Sequence, residues 1–142
     1  MENNINKKAD QILHERFKSG KLVALATCHD DMPSVRAVNA YYENECFYIM
    51  TDASSGKMRE LELNPKVALC GELFNGHGVA ENIGHVLKKE HTELMKTLRV
   101  ALAEWYSYGN VNEKDPNTVI LKVKMTDGMV VSEGLKYNFF FK

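Results

Sequence analysis

Arg36 and the segment Thr51-Asp52-Ala53-Ser54-Ser55-Gly56-Lys57 are the residues whose types and spacing point most directly to chemistry. Arg36 interrupts Ser34-Val35-Arg36-Ala37-Val38-Asn39, an otherwise apolar or neutral run, and is one of only four arginines. A guanidinium placed mid-strand in a buried sheet needs a partner anion, because its desolvation is otherwise costly. The alternative is a stem packed on the sheet with the head reaching water. The segment after Thr51 combines hydroxyls, a lysine and the expected start of a helix. Free backbone N–H groups at a helix N-terminus attract anions, and hydroxyls with an ammonium complete a phosphate cradle. The plainer alternative is an ordinary N-cap in which Ser54 or Ser55 satisfies the first turn. It is not a Walker loop, which would need Gly in place of Thr51 and Ser or Thr in place of Met58.

The two signals are related in space. Arg36 stands seven residues before the Glu43-Asn44 turn, and Thr51 stands seven after it. A hairpin of that symmetry places both at one open end, roughly opposite each other. Two anion-seeking groups converging on one point predict a phosphate-bearing ligand. His85 follows a glycine-rich strand and is a candidate donor to a substrate oxyanion, against its alternative as a turn residue. His77 and His91 are read as solvated or hydrogen-bonded side chains, and no metal site is expected. Cys28, Cys46 and Cys70 are odd in number and lack any CxxC spacing. They are read as reduced, packed thiols of a cytoplasmic protein. Cys70 has no neighbouring base in sequence, so no thiol nucleophile is expected, and no GxSxG elbow is present.

The elements that must position these groups follow from patterning. Ile5, Ala9, Ile12, Leu13 and Phe17 form one helical stripe, closed by Ser19-Gly20. Leu22 to Cys28 is a continuous apolar run, read as a strand buried on both faces. Ser34 to Tyr42 and Cys46 to Thr51 are the next two strands. Lys57 to Leu63 is a short helix stopped by Asn64-Pro65. Lys66 to Gly71 and a bent or bulged Glu72 to Ile83 are further strands. Leu87 to about Tyr108 reads as one long amphipathic helix. Thr118 to Met125 alternates as a strand, Met129 to Ser132 is another, and Tyr137 to Phe141 is an aromatic end segment. Strands joined by hairpins cannot be parallel. The expected fold is mainly β: an antiparallel Greek-key split barrel of six to seven strands, with an N-terminal helix, a short helix and one long helix packed outside.

Composition narrows the function. The chain has 142 residues, 44% hydrophobic and 26% charged, which predicts one globular domain. With 18 basic and 19 acidic residues, no excess positive charge is available for a nucleic-acid backbone. No apolar run nears the roughly 18–20 residues of a membrane span, and the N-terminal MENNINKKAD lacks the apolar core of a secretory signal.

The order of several short motifs then carries a family resemblance. Leu25-Ala26-Thr27, Pro33-Ser34-Val35-Arg36-Ala37-Val38, Phe47-Tyr48-Ile49-Met50-Thr51, Ser55-Gly56-Lys57 and Asn64-Pro65-Lys66-Val67-Ala68-Leu69 resemble the pyridoxamine 5'-phosphate oxidase-like FMN-binding split-barrel proteins. The general-stress-protein and nitroimidazole-reductase branches look nearest. The resemblance implies that Arg36, Ala37, Val38 and Asn39 lie along a flavin ring, with Met50 and Thr51 beside it. It implies that Arg36, Ser55 and Lys57 reach the FMN phosphate. It further implies a homodimer with flavin at the subunit interface and a small-molecule redox substrate. Alternatives of the same fold are a non-catalytic flavin- or haem-binding module and a deazaflavin-dependent reductase. Two departures stand out. Gly56 replaces a second basic residue often found before the lysine, and no Arg or His follows Arg99. The resemblance therefore implies a protein that does not oxidise pyridoxamine phosphate.

Overall fold

The computed structural model describes residues 2–142, with side chains from residue 4 onward. The chain opens with α1 (Glu2–Phe17) and continues with β1 (Lys21–His29), β2 (Met32–Glu43) and β3 (Cys46–Asp52). Then come α2 (Gly56–Leu63), β4 (Lys66–Gly71) and β5 (Phe74–His85). A 3₁₀ turn (Lys89–His91), α3 (Thr92–Ala101) and α4 (Ala103–Ser107) precede β6 (Thr118–Ser132) and β7 (Leu135–Phe140).

Every strand pairing is antiparallel. The order is β3-β2-β1-β4-β5-β6-β7, and β3 also pairs with β6. Six strands therefore close into a barrel, and β7 adds to β6 from outside. Two-residue turns with positive φ at Asp30-Asp31, Asn44-Glu45 and Glu133-Gly134 join the hairpins, matching the twist of antiparallel strands. The second of these lies one residue later than the expected Glu43-Asn44.

The barrel is split. β2 and β3 pair only from Tyr41↔Tyr48 to Glu43↔Cys46. Beyond that, β2 stays on β1, with Arg36 opposite Leu25, while β3 stays on β6, which it pairs along its whole length, with Thr51 opposite Val119. Among the described residues, the β2 backbone from Met32 to Ala40 thus has no strand partner on its side away from β1.

Two cores hold the fold. The barrel interior is filled by Val23, Leu25, Val38, Ala40, Phe47, Leu69, Val123 and their neighbours, and Ala9, Leu13 and Phe17 of α1 belong to the same cluster, as do Met58 and Leu61 of α2. Phe17, Phe47 and Phe74 meet edge-on or tilted, with ring centroids 5.3–5.8 Å apart. The second core lies outside the barrel wall, where Tyr41, Met50 and Ile120 pack beneath Met95, Leu98 and Leu102.

Four expectations need correction. In place of one long helix a 3₁₀ turn is followed by two α-helices, α3 and α4, separated where Leu102 leaves helical geometry at φ −104°, ψ 23°. Residues of both pieces face the same outer core, so the apolar periodicity runs through the break. Second, β6 is one strand, not two: Asp127-Gly128 stays paired to both β5 and β7. A side chain at Gly128 would put Cβ 2.4 Å from the Asn75 carbonyl oxygen, so only glycine allows this close approach to β5. Third, β1 is buried on one face only. Val23, Leu25 and Thr27 point into the barrel, whereas Leu22 is 65% exposed and Ala24 and Ala26 are partly covered. Fourth, Cys70 is exposed rather than packed, on that same open face.

Candidate functional site: a cationic cradle at the split

α2 brings the two anion-seeking groups together, not the hairpin ladder. Arg36 and Thr51 are not cross-strand partners, because β2 and β3 have parted by then. The turn after β3 returns the chain toward β1, against which α2 packs, and this carries Lys57 toward Arg36. Their proximity is electrostatically visible: burial first, and then the Arg36 charge, hold the Lys57 ammonium below the ordinary lysine range.

The turn is arranged so that the Ser55 side chain caps no backbone group. Asp52 accepts hydrogen bonds from the Ser54 N–H at 2.8 Å and the Ser54 hydroxyl at 2.6 Å, which hold its carboxyl below the usual range. Ser54 is thereby occupied. Ser55 is the N-cap of α2, yet its side chain caps no backbone N–H. An N-cap hydroxyl would ordinarily satisfy one of the first-turn donors. Lys57 Nζ donates to Thr51 Oγ1 and, at 3.4 Å, to Ser55 Oγ. Beside Gly56 the space is open: a Cβ there would meet nothing within 4 Å. An uncapped helix start, two hydroxyls and a half-buried ammonium thus share one corner, and the residues fit a phosphate.

Arg36 enters from the barrel side. Its Nη1 donates to the Leu25 carbonyl at 3.2 Å and to Thr27 Oγ1 at 2.8 Å. Its Nη2 lies 3.7 Å from Glu60 Oε1 of α2. Thr27 in turn donates to Glu60 Oε2 at 2.8 Å. Guanidinium donors beyond these contacts remain for a ligand. Thr27 and Glu60 were not expected from the sequence. A glutamate on a short amphipathic helix reads as solvent-facing, and a threonine in an apolar strand reads as β-branched packing.

The other expected ring-contacting residues differ in exposure. Ala37 is exposed, Val38 points into the barrel at 7% exposure, and Asn39 is partly buried. The Asn39 side-chain oxygen is buried without a hydrogen-bond donor, the one such atom among the described residues. Met50 is buried, its sulfur 3.4 Å from the Tyr106 hydroxyl. That hydroxyl also donates to Glu113 at 2.6 Å, and Glu113 is held by both Arg99 Nε and Nη2 at 2.9 Å.

The histidines serve structure. His85 Nδ1 accepts from the Leu87 N–H at 3.0 Å, leaving Nε2 to donate to the Asp115 carbonyl at 2.9 Å. Both ring nitrogens are committed, so His85 is the turn residue of the two readings. His91 bonds the Ile83 carbonyl and His77 bonds Asp127. Among the described residues no group of three or more His, Cys, Asp or Glu could hold a metal ion. No helix among them is long and apolar enough to cross a membrane.

Comparison with known proteins agrees with this architecture. No curated protein matches the chain significantly. Among solved structures, General Stress Protein 26 from Bacillus anthracis str. Sterne shares the fold at 20% identity and a TM-score of 0.64, covering 85% of this chain and 92% of that one. A FAD-binding protein from Mesorhizobium loti aligns at 14% identity and a TM-score of 0.68, covering 86% and 90%. A NimC/NimA family protein from Clostridium acetobutylicum aligns at 22% identity and a TM-score of 0.61, covering 97% and 93%. The profile of the pyridoxamine 5'-phosphate oxidase family matches residues 9–131, nearly the whole barrel and both segments of the cradle. With that match spanning most of its length, this chain belongs to the pyridoxamine 5'-phosphate oxidase family.

Proposed function

We propose that the protein is an FMN-binding, homodimeric oxidoreductase acting on a small molecule. The observation that carries the reading is the pair of cations at the split. Arg36 and Lys57 are mutually repulsive and partly buried, and Lys57 has only hydroxyls as partners. Such a pair gains most from a shared dianion. Arg36, Thr51, Ser55, Lys57 and the first N–H groups of α2 would hold the phosphate. The unpaired β2 edge at Arg36, Ala37, Val38 and Asn39 offers backbone donors and acceptors of the kind that a flavin's pyrimidine edge requires, with Met50 across the split. The similarity to a FAD-binding protein supports a flavin over haem. When bound, the flavin would accept and release hydride or electrons. The chain's part is to anchor, orient and shield it.

The dimer follows from the open face of β1, β2 and β4. Leu22 and Val35 are 65% and 69% exposed, and Ala24, Ala26, Ala68 and Cys70 lie beside them around a shallow cavity. The apolar run of β1 suits burial on both faces, and a second copy would supply the missing cover. The free thiols suit a reducing, cytoplasmic setting.

Pyridoxamine phosphate is not the substrate in this reading. The C-terminal segment has no Arg or His, and as β7 it pairs with β6 and packs on α1. Hydrogen peroxide release with pyridoxamine or pyridoxine 5'-phosphate is expected to stay far below about 1 s⁻¹; turnover at or above that rate contradicts this assignment. The absorption spectrum tests the cofactor class. Protein mixed with FMN and freed of excess ligand should retain bands of oxidised flavin, whereas a Soret band or failure to retain FMN favours haem or a deazaflavin.

A further inference from the structure

Glu60 is a carboxylate built into a site otherwise arranged for an anion. Its Oε1 lies 3.7 Å from Arg36 Nη2, within ion-pair range but too long for a hydrogen bond. Its Oε2 accepts the Thr27 hydroxyl at 2.8 Å. Thr27 has one hydroxyl proton, and giving it to Glu60 leaves its oxygen to accept from Arg36 Nη1 at 2.8 Å. The order is therefore fixed: Arg36 donates to Thr27, and Thr27 donates to Glu60. Thr27 is 2% exposed, and the Arg36 and Glu60 side chains are 25% and 22% exposed, so the charges interact through less water than a surface pair. Lys57 has no carboxylate in contact: Asp52 acts on it only through space, and among the described residues Lys57 forms no salt bridge. One cation of the cradle arrives paired and the other unpaired.

We propose that Glu60 is the internal counter-anion of the cradle: it holds Arg36 when no ligand is bound and must share Arg36 with an incoming phosphate. Glu60 thereby sets how strongly the site prefers a phosphorylated ligand to its unphosphorylated counterpart. The proposal rests on the reading that a phosphate lies between Arg36 and Lys57. A phosphate dianion entering there meets two cations and one carboxylate. Removing the carboxylate's charge removes a like-charge repulsion at the same place and frees Arg36 for the ligand.

The test is fluorescence titration of FMN and riboflavin, two ligands with one ring and different tails, against wild type, Glu60→Gln, Glu60→Ala and Lys57→Ala. Glu60→Gln should tighten FMN by roughly tenfold while riboflavin stays within about twofold. Glu60→Ala, a good helix former, should move FMN in the same direction and provides the test if the glutamine variant folds poorly. The ligand-free melting temperature of Glu60→Gln should fall, because Arg36 loses its anion, while the rise produced by saturating FMN should grow. Unchanged or weakened FMN binding in the Glu60 variants, or equal shifts for both ligands, overturns the proposal. Lys57→Ala separates the two levels. If it lowers the FMN preference and the Glu60 variants fail to raise it, the phosphate site stands and Glu60 is only a support for Arg36. If Lys57→Ala leaves the preference unchanged, the phosphate lies elsewhere and both readings fall.

Discussion

Lys57 is the residue at which the proposed phosphate site costs the empty fold most. Burial and the neighbouring Arg36 lower its pKa, while Asp52 opposes them. A lysine whose folded pKa lies below its unfolded value of 10.5 carries a stability penalty at every pH below the folded value. The penalty fades as pH rises through the folded pKa and is gone above about 10.5. Lys57→Met is therefore expected to melt higher than wild type near pH 7 without ligand, with the advantage shrinking in alkali. FMN should reverse the ranking, raising the wild-type melting temperature more than the variant's. A variant that melts lower than wild type near pH 7, or that gains as much from FMN, would contradict this account. The legibility of the site also belongs to this scale. Arg36, Ser55 and Lys57 could be singled out because each is polar where its neighbours are apolar or small. Glu60 and Thr27 could not, because an acid on a helix and a threonine in a strand are what those elements ordinarily contain.

At the scale of elements, local pattern identified the strands well where one face is buried, and failed where tertiary contact decides. β2, β3 and β4 lie within two residues of their expected bounds, since alternation and the Asn64-Pro65 stop are local signals. The break at Leu102 was not legible, because the helices on either side share one apolar face. Gly20 is the other half of that junction. It adopts φ +71°, and a Cβ on it would lie 2.5 Å from Leu102 Cδ2 and 2.9 Å from the Ala101 carbonyl oxygen. Gly20→Ala would combine left-handed strain with a clash between the α1–β1 turn and the α3–α4 break. A loss of at least about 2 kcal/mol is expected in denaturant unfolding. A change within about 0.5 kcal/mol would mean that the junction yields easily. The separation of β2 from β3 is likewise tertiary: β3 stays on β6 along its whole length while β2 follows β1, and their divergence beyond Tyr41↔Tyr48 opens the split.

At the scale of the whole molecule, the split and the open apolar face are complementary features of one small barrel. An apolar face that is uncovered in one chain calls for another, and the prediction is a dimer of about twice 16.1 kDa at micromolar concentration. Val35→Glu, which places a carboxylate on an exposed apolar position of β2, should shift sedimentation toward the monomer and weaken flavin binding together. Monomeric wild type that still binds FMN tightly would remove the interface from the account. The central claim is that the cradle at the split reads a phosphate, and paired titrations of FMN and riboflavin test it most directly. Charge-assisted hydrogen bonds are worth about 1.5–3 kcal/mol each, so Arg36→Ala or Lys57→Ala should weaken FMN by roughly 10- to 150-fold while leaving riboflavin nearly unchanged. Equal losses for the two ligands, or no loss for either, would contradict it.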